Sequence, residues 1–190
     1  MKYYKLHLIR HGLTEGNLKG LYIGSGSDLP LCAEGRAQLK TLKKDFGYPQ
    51  VPLVFTSPML RATQTAEILF PGVRQIELHD LREMAFGKFE GKPLQQLVKD
   101  PEFAQWMDPT SRTVPQGAED RQMFFNRTSA MLMKMFEYML KTHTEEAACV
   151  THGGVIMNML SQHAGGVDDR PGRRLQCASG RRNVDARPPR

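Results

Sequence analysis

The chain has 190 residues, 40% of them hydrophobic and 24% charged, with a formal net charge of +6. That length suits one domain with a buried core, no apolar run approaches the roughly 20 residues of a membrane helix, and the widely spaced Cys32, Cys149 and Cys177 argue against a disulfide framework or a Cys-x-x-Cys metal knuckle. The surplus charge is local: residues 165–190 hold seven arginines against three aspartates, so the body is close to neutral and no specific nucleic-acid partner is expected.

The N-terminus enters a strand, residues 3–9, rather than a signal-peptide apolar region, so a cytoplasmic protein without a membrane partner is expected. A long Gly-rich loop, 10–30, carries Thr14, Glu15 and Asn17, and a helix runs from Ala33 to Asp45. Strand 53–56 leads into Ser57-Pro58, read as an N-cap with proline at the first helical position, and a helix to about Leu69. A strand at 73–78 precedes Leu81-Arg82-Glu83, followed by a loop-rich insertion, 86–117, with Phe89, Phe103 and Trp106. Trp106 and Phe103 either roof a pocket or fill a subsidiary core. The segment 118–141, with Met123, Phe124, Met131, Met135, Tyr138 and Met139, predicts the longest helix and a Met-rich core face. Strand 147–151, with Cys149 as a buried thiol, and helix 154–163 complete an alternation that predicts a mostly parallel sheet covered on both faces. From Gly165 apolar periodicity stops and Arg, Gly, Pro and Asp dominate, predicting a disordered tail over 165–190 beside a domain over 1–164. The abruptness of the break suggests an out-of-frame or truncated ending, and no strand is expected there.

Two histidine-glycine steps, Arg10-His11-Gly12 and Thr151-His152-Gly153-Gly154, each follow a strand, as does Ser57-Pro58-Met59-Leu60-Arg61. Strand ends are where an α/β sheet collects reactive groups. A phosphate monoester resists hydrolysis because its dianion repels nucleophiles, so a site must neutralise its oxygens and present a nucleophile in line. Arginine forks match phosphate oxygens, each cation at about 4 Å contributing on the order of 4 kcal/mol at an effective dielectric of 20 before desolvation. Arg10, Arg61 and His152 supply such a clamp, and Asn17 adds a neutral donor. His11 is the candidate nucleophile, kept neutral by its cationic neighbours. Glu83 is the candidate proton donor, with Glu15 as the competitor.

These motifs resemble the histidine phosphatase superfamily, the phosphoglycerate mutase-like fold. Its R-H-G-x-T-E-x-N element stands as Arg10-His11-Gly12-Leu13-Thr14-Glu15-Gly16-Asn17, its second element as Ser57 to Ala66, its acid/base as Leu81-Arg82-Glu83 and its second histidine as Thr151-His152-Gly153-Gly154. The resemblance spans residues 4 to about 163. It implies a three-layer α/β/α sandwich, a phosphohistidine on His11, a phosphate pocket of Arg10, Asn17, Arg61, His152 and Gly153, Glu83 as proton donor, and no metal or cofactor. The stretch 86–92, Trp106 and 115–119 are similar to the small bacterial branch that includes α-ribazole phosphatases. Members normally add a further strand or two at the sheet edge, which this tail does not supply, so the C-terminal edge is expected to be missing. The expected activity is metal-independent hydrolysis of a small phosphorylated metabolite; the alternatives are phosphoglycerate mutase-type transfer and a non-catalytic phospholigand-binding module.

Overall fold

The computed structural model describes residues 3–163 apart from Pro109, together with the backbone pair Cys177–Ala178. Strands β1 (Lys5–Arg10), β2 (Leu53–Thr56), β3 (Arg74–Glu77), β4 (Glu146–Thr151) and β5 (Cys177–Ala178) form one sheet in the order β3-β2-β4-β1-β5. Every pairing in it is parallel. Parallel strands need crossovers, and helices provide them: α1 (Glu15–Leu18) and α2 (Ala33–Phe46) follow β1, α3 (Leu60–Leu69) follows β2, α4 (Leu94–Leu97), α5 (Pro101–Met107) and α6 (Arg121–Lys141) follow β3, and α7 (Gly153–His163) follows β4.

The alternation of side chains along a strand sorts the core into two faces. Leu8, Leu53, Phe55, Ala147 and Cys149 pack against α6 and α7 through Met135, Met139, Val155 and Met159. Their neighbours in sequence, Ile9, Val54, Ala148 and Val150, pack against α2 and α3 through Leu39, Ala62, Ala66 and Leu69. A third cluster, Phe86, Phe89, Leu97, Phe103 and Trp106, lies in the insertion. The insertion expected to be loop-rich thus carries two short helices and an aromatic core of its own.

Three expectations change. Ser57 does not cap α3: the N-cap is Met59, without a side-chain cap bond, and the Ser57 hydroxyl is used elsewhere. Met123 is 66% exposed, because the buried stripe of α6 runs through Phe124, Thr128, Met131, Leu132, Met135 and Met139, one residue out of step with it. The edge beyond β1, expected to be bare, holds β5, which pairs Leu8 with Cys177 and Ile9 with Ala178. A two-residue strand is too short to show periodicity in sequence. The expected disorder of 165–190, the domain boundary at 164 and the out-of-frame ending otherwise lie outside the described residues.

The site position follows from the winding. β1 leads to α2 on one face, while adjacent β4 leads to α7 on the other. Connections diverging from neighbouring strands leave a crevice at their carboxyl ends. In register, Arg10 lies opposite Thr151, and the His11 amide donates to the Thr151 carbonyl at 2.9 Å. The chain after β2 joins there too, with the Ser57 amide on the Val150 carbonyl at 3.0 Å.

Candidate active site

A cavity of about 480 Å³ opens over these strand ends. Arg10, His11, Asn17, Arg61, Glu83 and Gly153 all line it, so residues far apart in sequence meet as expected. His152 stands behind the wall: it is fully buried, its ring centroid 5.1 Å from that of His11 and tilted by 59°. Glu15 is exposed on α1 and is not among the lining residues, so geometry separates the two carboxylates in favour of Glu83.

His11 Nδ1 lies 2.7 Å from the Gly12 carbonyl. A carbonyl only accepts, so Nδ1 carries the proton and Nε2 keeps its lone pair. Burial, then the charge of Arg61, pull the His11 pKa down to about 3, with Arg10 adding to the effect and the Gly12 bond opposing it. Since that value lies far below the ordinary 6.5, the ring stays neutral through acid conditions that protonate a free histidine. His152 Nε2 lies 2.8 Å from Ser57 Oγ, which accepts from the Met59 amide at 3.4 Å. A serine hydroxyl donates and accepts at once, so either ring tautomer suits this contact, and the other ring nitrogen is Nδ1. That atom is buried and has no hydrogen-bond partner among the described residues. Burial first, then His11 and Arg61, hold the His152 pKa well below the usual range.

Arg61 is 1% exposed. Its guanidinium donates to the Ser27 carbonyl through Nη1 and the Gly24 carbonyl through Nη2, both at 2.9 Å, which fixes its plane. Burial lowers its pKa, while Glu83, Asp28 and Glu90 oppose the change; a guanidinium remains charged in such surroundings. Arg10, at the end of β1, meets no hydrogen-bond acceptor among the described residues. Asn17 closes a capping box with Thr14. Its Oδ1 accepts from the Thr14 amide at 3.0 Å and the Thr14 hydroxyl at 3.1 Å. The oxygen is thus committed, and Nδ2 is left as donor.

Glu83 is 8% exposed. Its Oε1 accepts from the Met84 amide at 2.9 Å and its Oε2 from the Gly154 amide at 3.0 Å. Burial raises its pKa against the pull of those two amides and of Arg61 and Arg127, which favours the protonated acid. Gly154 is required by proximity, since a Cβ there would stand 2.4 Å from Glu83 Oε1. Its φ is not among the positive values, so alanine would otherwise favour the helix. Gly154→Ala is expected to fold but to lose about tenfold or more in kcat/KM on alkyl phosphates through a displaced Glu83; unchanged kinetics would show that the carboxyl tolerates the shift.

Much of the remaining lining is aromatic and thioether, with Tyr22, Phe86, Trp106, Phe124, Met84 and Met107. Tyr22 stacks on Phe86 with centroids 3.9 Å apart, and burial, then Glu83, push its pKa to about 12. Trp106 has both expected roles, lining the cavity and packing in the insertion core, whereas Phe103 belongs to that core alone. Sequence reasoning missed Tyr22 and Arg121. Arg121 lines the cavity and donates to the Trp106 carbonyl. Its one sequence signal is a cation in the first turn of a helix, against the helix dipole. His7 is held by Glu146 at 2.7 Å, away from the site.

A parallel sheet bringing a neutral imidazole, two arginines and a protonation-prone carboxyl to one crevice defines an enzyme of phosphoryl transfer. Residues 6–184 match the family described as the histidine phosphatase superfamily (branch 1). The chain is 31% identical over 162 residues to the adenosylcobalamin/alpha-ribazole phosphatase of Salmonella typhimurium, covering 83% of this chain and 78% of that protein. The crystal structure of a putative alpha-ribazole-5'-P phosphatase from Escherichia coli is similar with a TM-score of 0.73 and 27% identity, over 85% of this chain and 79% of the other. A phosphoglycerate mutase from Thermus thermophilus is similar with a TM-score of 0.66 and 35% identity, over 82% of each. The chain belongs to the histidine phosphatase superfamily, whose members matched here are enzymes acting on phosphate esters. Among the described residues, no helix is long and apolar enough to cross a membrane.

Proposed function

We propose that this chain hydrolyses small phosphate monoesters carrying a flat, weakly polar organic group, of the α-ribazole phosphate kind, passing the phosphoryl group first to His11 and then to water. One observation carries the reading: the bond from His11 Nδ1 to Gly12 leaves Nε2 bare on a cavity wall shared with Arg10, Arg61 and Glu83. In the first step the Nε2 lone pair forms the P–N bond, the ester P–O bond breaks, and the leaving alkoxide takes the Glu83 proton. In the second, Glu83 takes a proton from water, the hydroxyl oxygen bonds to phosphorus, and the P–N bond breaks to release inorganic phosphate. Arg10, Arg61, Asn17 Nδ2 and the Gly153 backbone hold the phosphoryl oxygens, and the His152 ring backs His11 from behind the wall. The aromatic and thioether wall suits a planar group better than a hydrated sugar.

The Thermus relative motivates a second reading, return of the phosphoryl group to a bound phosphoglycerate. The test is a panel of α-ribazole phosphate, nucleotides, sugar phosphates and 3-phosphoglycerate, run in EDTA with phosphate release and isomer formation both measured. Phosphate release, greatest with the planar ester and resistant to chelation, is expected. Isomer formation without release would establish the mutase, abolition by EDTA would point to a metal hydrolase, and binding without turnover would favour a ligand module.

A further inference from the structure

We infer that Arg127 is a positioning residue for Glu83, clamping the segment that carries the carboxyl so that it faces the leaving group. The inference rests on the reading of Glu83 as proton donor. Arg127 sits on α6, outside the cavity lining, and its guanidinium is fully engaged. Nη1 donates to the Asp80 carbonyl at 2.6 Å and the Arg82 carbonyl at 2.8 Å, and Nη2 to the Glu83 carbonyl at 3.2 Å. Nε and Nη2 also grip Glu119 in a two-point ion pair at 2.6 and 2.8 Å. Glu119 ties down the far side of Glu83: its amide donates to the Ala85 carbonyl at 2.9 Å, and its Oε2 accepts from the Ala85 amide at 3.4 Å.

The clamp therefore holds the backbone on both sides of residue 83, over a stretch with little regular structure. Only a short 3-10 turn, His79–Leu81, precedes it. A planar fork with five donors can bridge three carbonyls and a carboxylate at once; a lysine ammonium on a flexible stem cannot. The guanidinium also lies over the Phe124 ring at 4.8 Å, joining the clamp to the cavity wall. The groups that face the Glu83 carboxyl are Arg61 from α3, Arg127 from α6, Tyr22 from the loop after α1, and the amides of Met84 and Gly154. Arg127 works in the direction of a lower Glu83 pKa. Its removal therefore raises that pKa and extends the protonated form to higher pH, while the freed segment places the acid poorly.

The experiment compares wild type, R127Q, R127K and E83Q, measuring kcat/KM against pH for an aryl and an alkyl phosphate, with inhibition by inorganic phosphate and thermal unfolding alongside. R127Q is expected to lose about tenfold or more on the alkyl ester beyond any loss on the aryl ester, to move the alkaline limb of the alkyl profile upward, and to leave phosphate inhibition nearly unchanged. R127K keeps the charge, so its limb stays in place and part of the alkyl rate returns. Should R127Q fail to fold, R127K decides: selective loss on the alkyl ester relative to wild type supports the clamp. Equal loss on both esters with an unmoved limb overturns it, leaving a purely structural staple. E83Q separates the two readings, because absence of discrimination in E83Q removes the proton-donor role itself, whereas discrimination in E83Q without any in the Arg127 variants removes only the clamp.

Discussion

Replacing His11 by alanine is expected to lower kcat on an aryl phosphate by at least about 10³-fold while inorganic phosphate still binds. The asymmetry follows from the geometry. Arg61 is fixed by the carbonyls of Gly24 and Ser27, and Asn17 by its capping box, so neither depends on the imidazole. What is lost is the ring nitrogen that the Gly12 bond leaves bare at the cavity. Wild type incubated with radiolabelled substrate and quenched in base is expected to retain label on the peptide containing His11, because a phosphoimidazole survives base. Label elsewhere, or a His11→Ala enzyme within about tenfold of wild type, would remove the covalent step. The pH arm carries a sign. With its pKa at about 3 in the fold, the His11 ring is expected to show Nδ1–H and no change in its nitrogen NMR shifts from about pH 8 to about pH 5. A midpoint near the ordinary 6.5 would contradict the buried, cation-flanked ring. Linkage sets the accompanying stability trend: an unfolded chain protonates this histidine as pH falls through 6.5 while the folded one does not, so folding weakens progressively below that pH.

The chemistry was legible where local pattern coincides with topology. His11 and His152 each follow an apolar strand, and parallel pairing in register, Arg10 opposite Thr151, brings such ends together without further information. Residues serving through long-range contact were not legible. Ser57 looks like a helix cap because Pro58 follows it, yet its hydroxyl orients His152, 95 residues away. Glu83 was preferred to Glu15 for its place just beyond the third strand, and what the sequence could not show is its burial against the Gly154 amide of α7. Arg127 gave no periodic signal, because its partners are carbonyls 44 to 47 residues back along the chain, and main-chain acceptors leave no mark in a sequence. Tyr22 was invisible for a related reason: an aromatic side chain in a Gly-rich loop acquires its place only when the insertion core folds against it.

Glu83→Gln is expected to lower kcat/KM on alkyl phosphates by about 10²- to 10⁴-fold while an aryl phosphate with an acidic leaving group loses little. The constant kcat/KM covers only steps up to departure of the leaving group, where an alkoxide needs a proton and a stabilised phenoxide does not. Glutamine preserves the shape of the group and can still accept from one of the two amides, Met84 and Gly154, that hold the carboxyl, so the comparison isolates proton transfer from position. Burial favours the acid form in the resting site, which suits donation. Once the proton has gone, the carboxylate is stabilised by those amides, Arg61 and Arg127, and can then deprotonate water. The same group thus acts in both halves of the cycle, and the variant should show both defects. On the aryl ester, rapid first turnover followed by slow release is expected, with phospho-His11 accumulating because water lacks its base. An equal slowing of both esters, with no burst, would place Glu83 in structural support and move the search for the acid to another residue on the cavity wall.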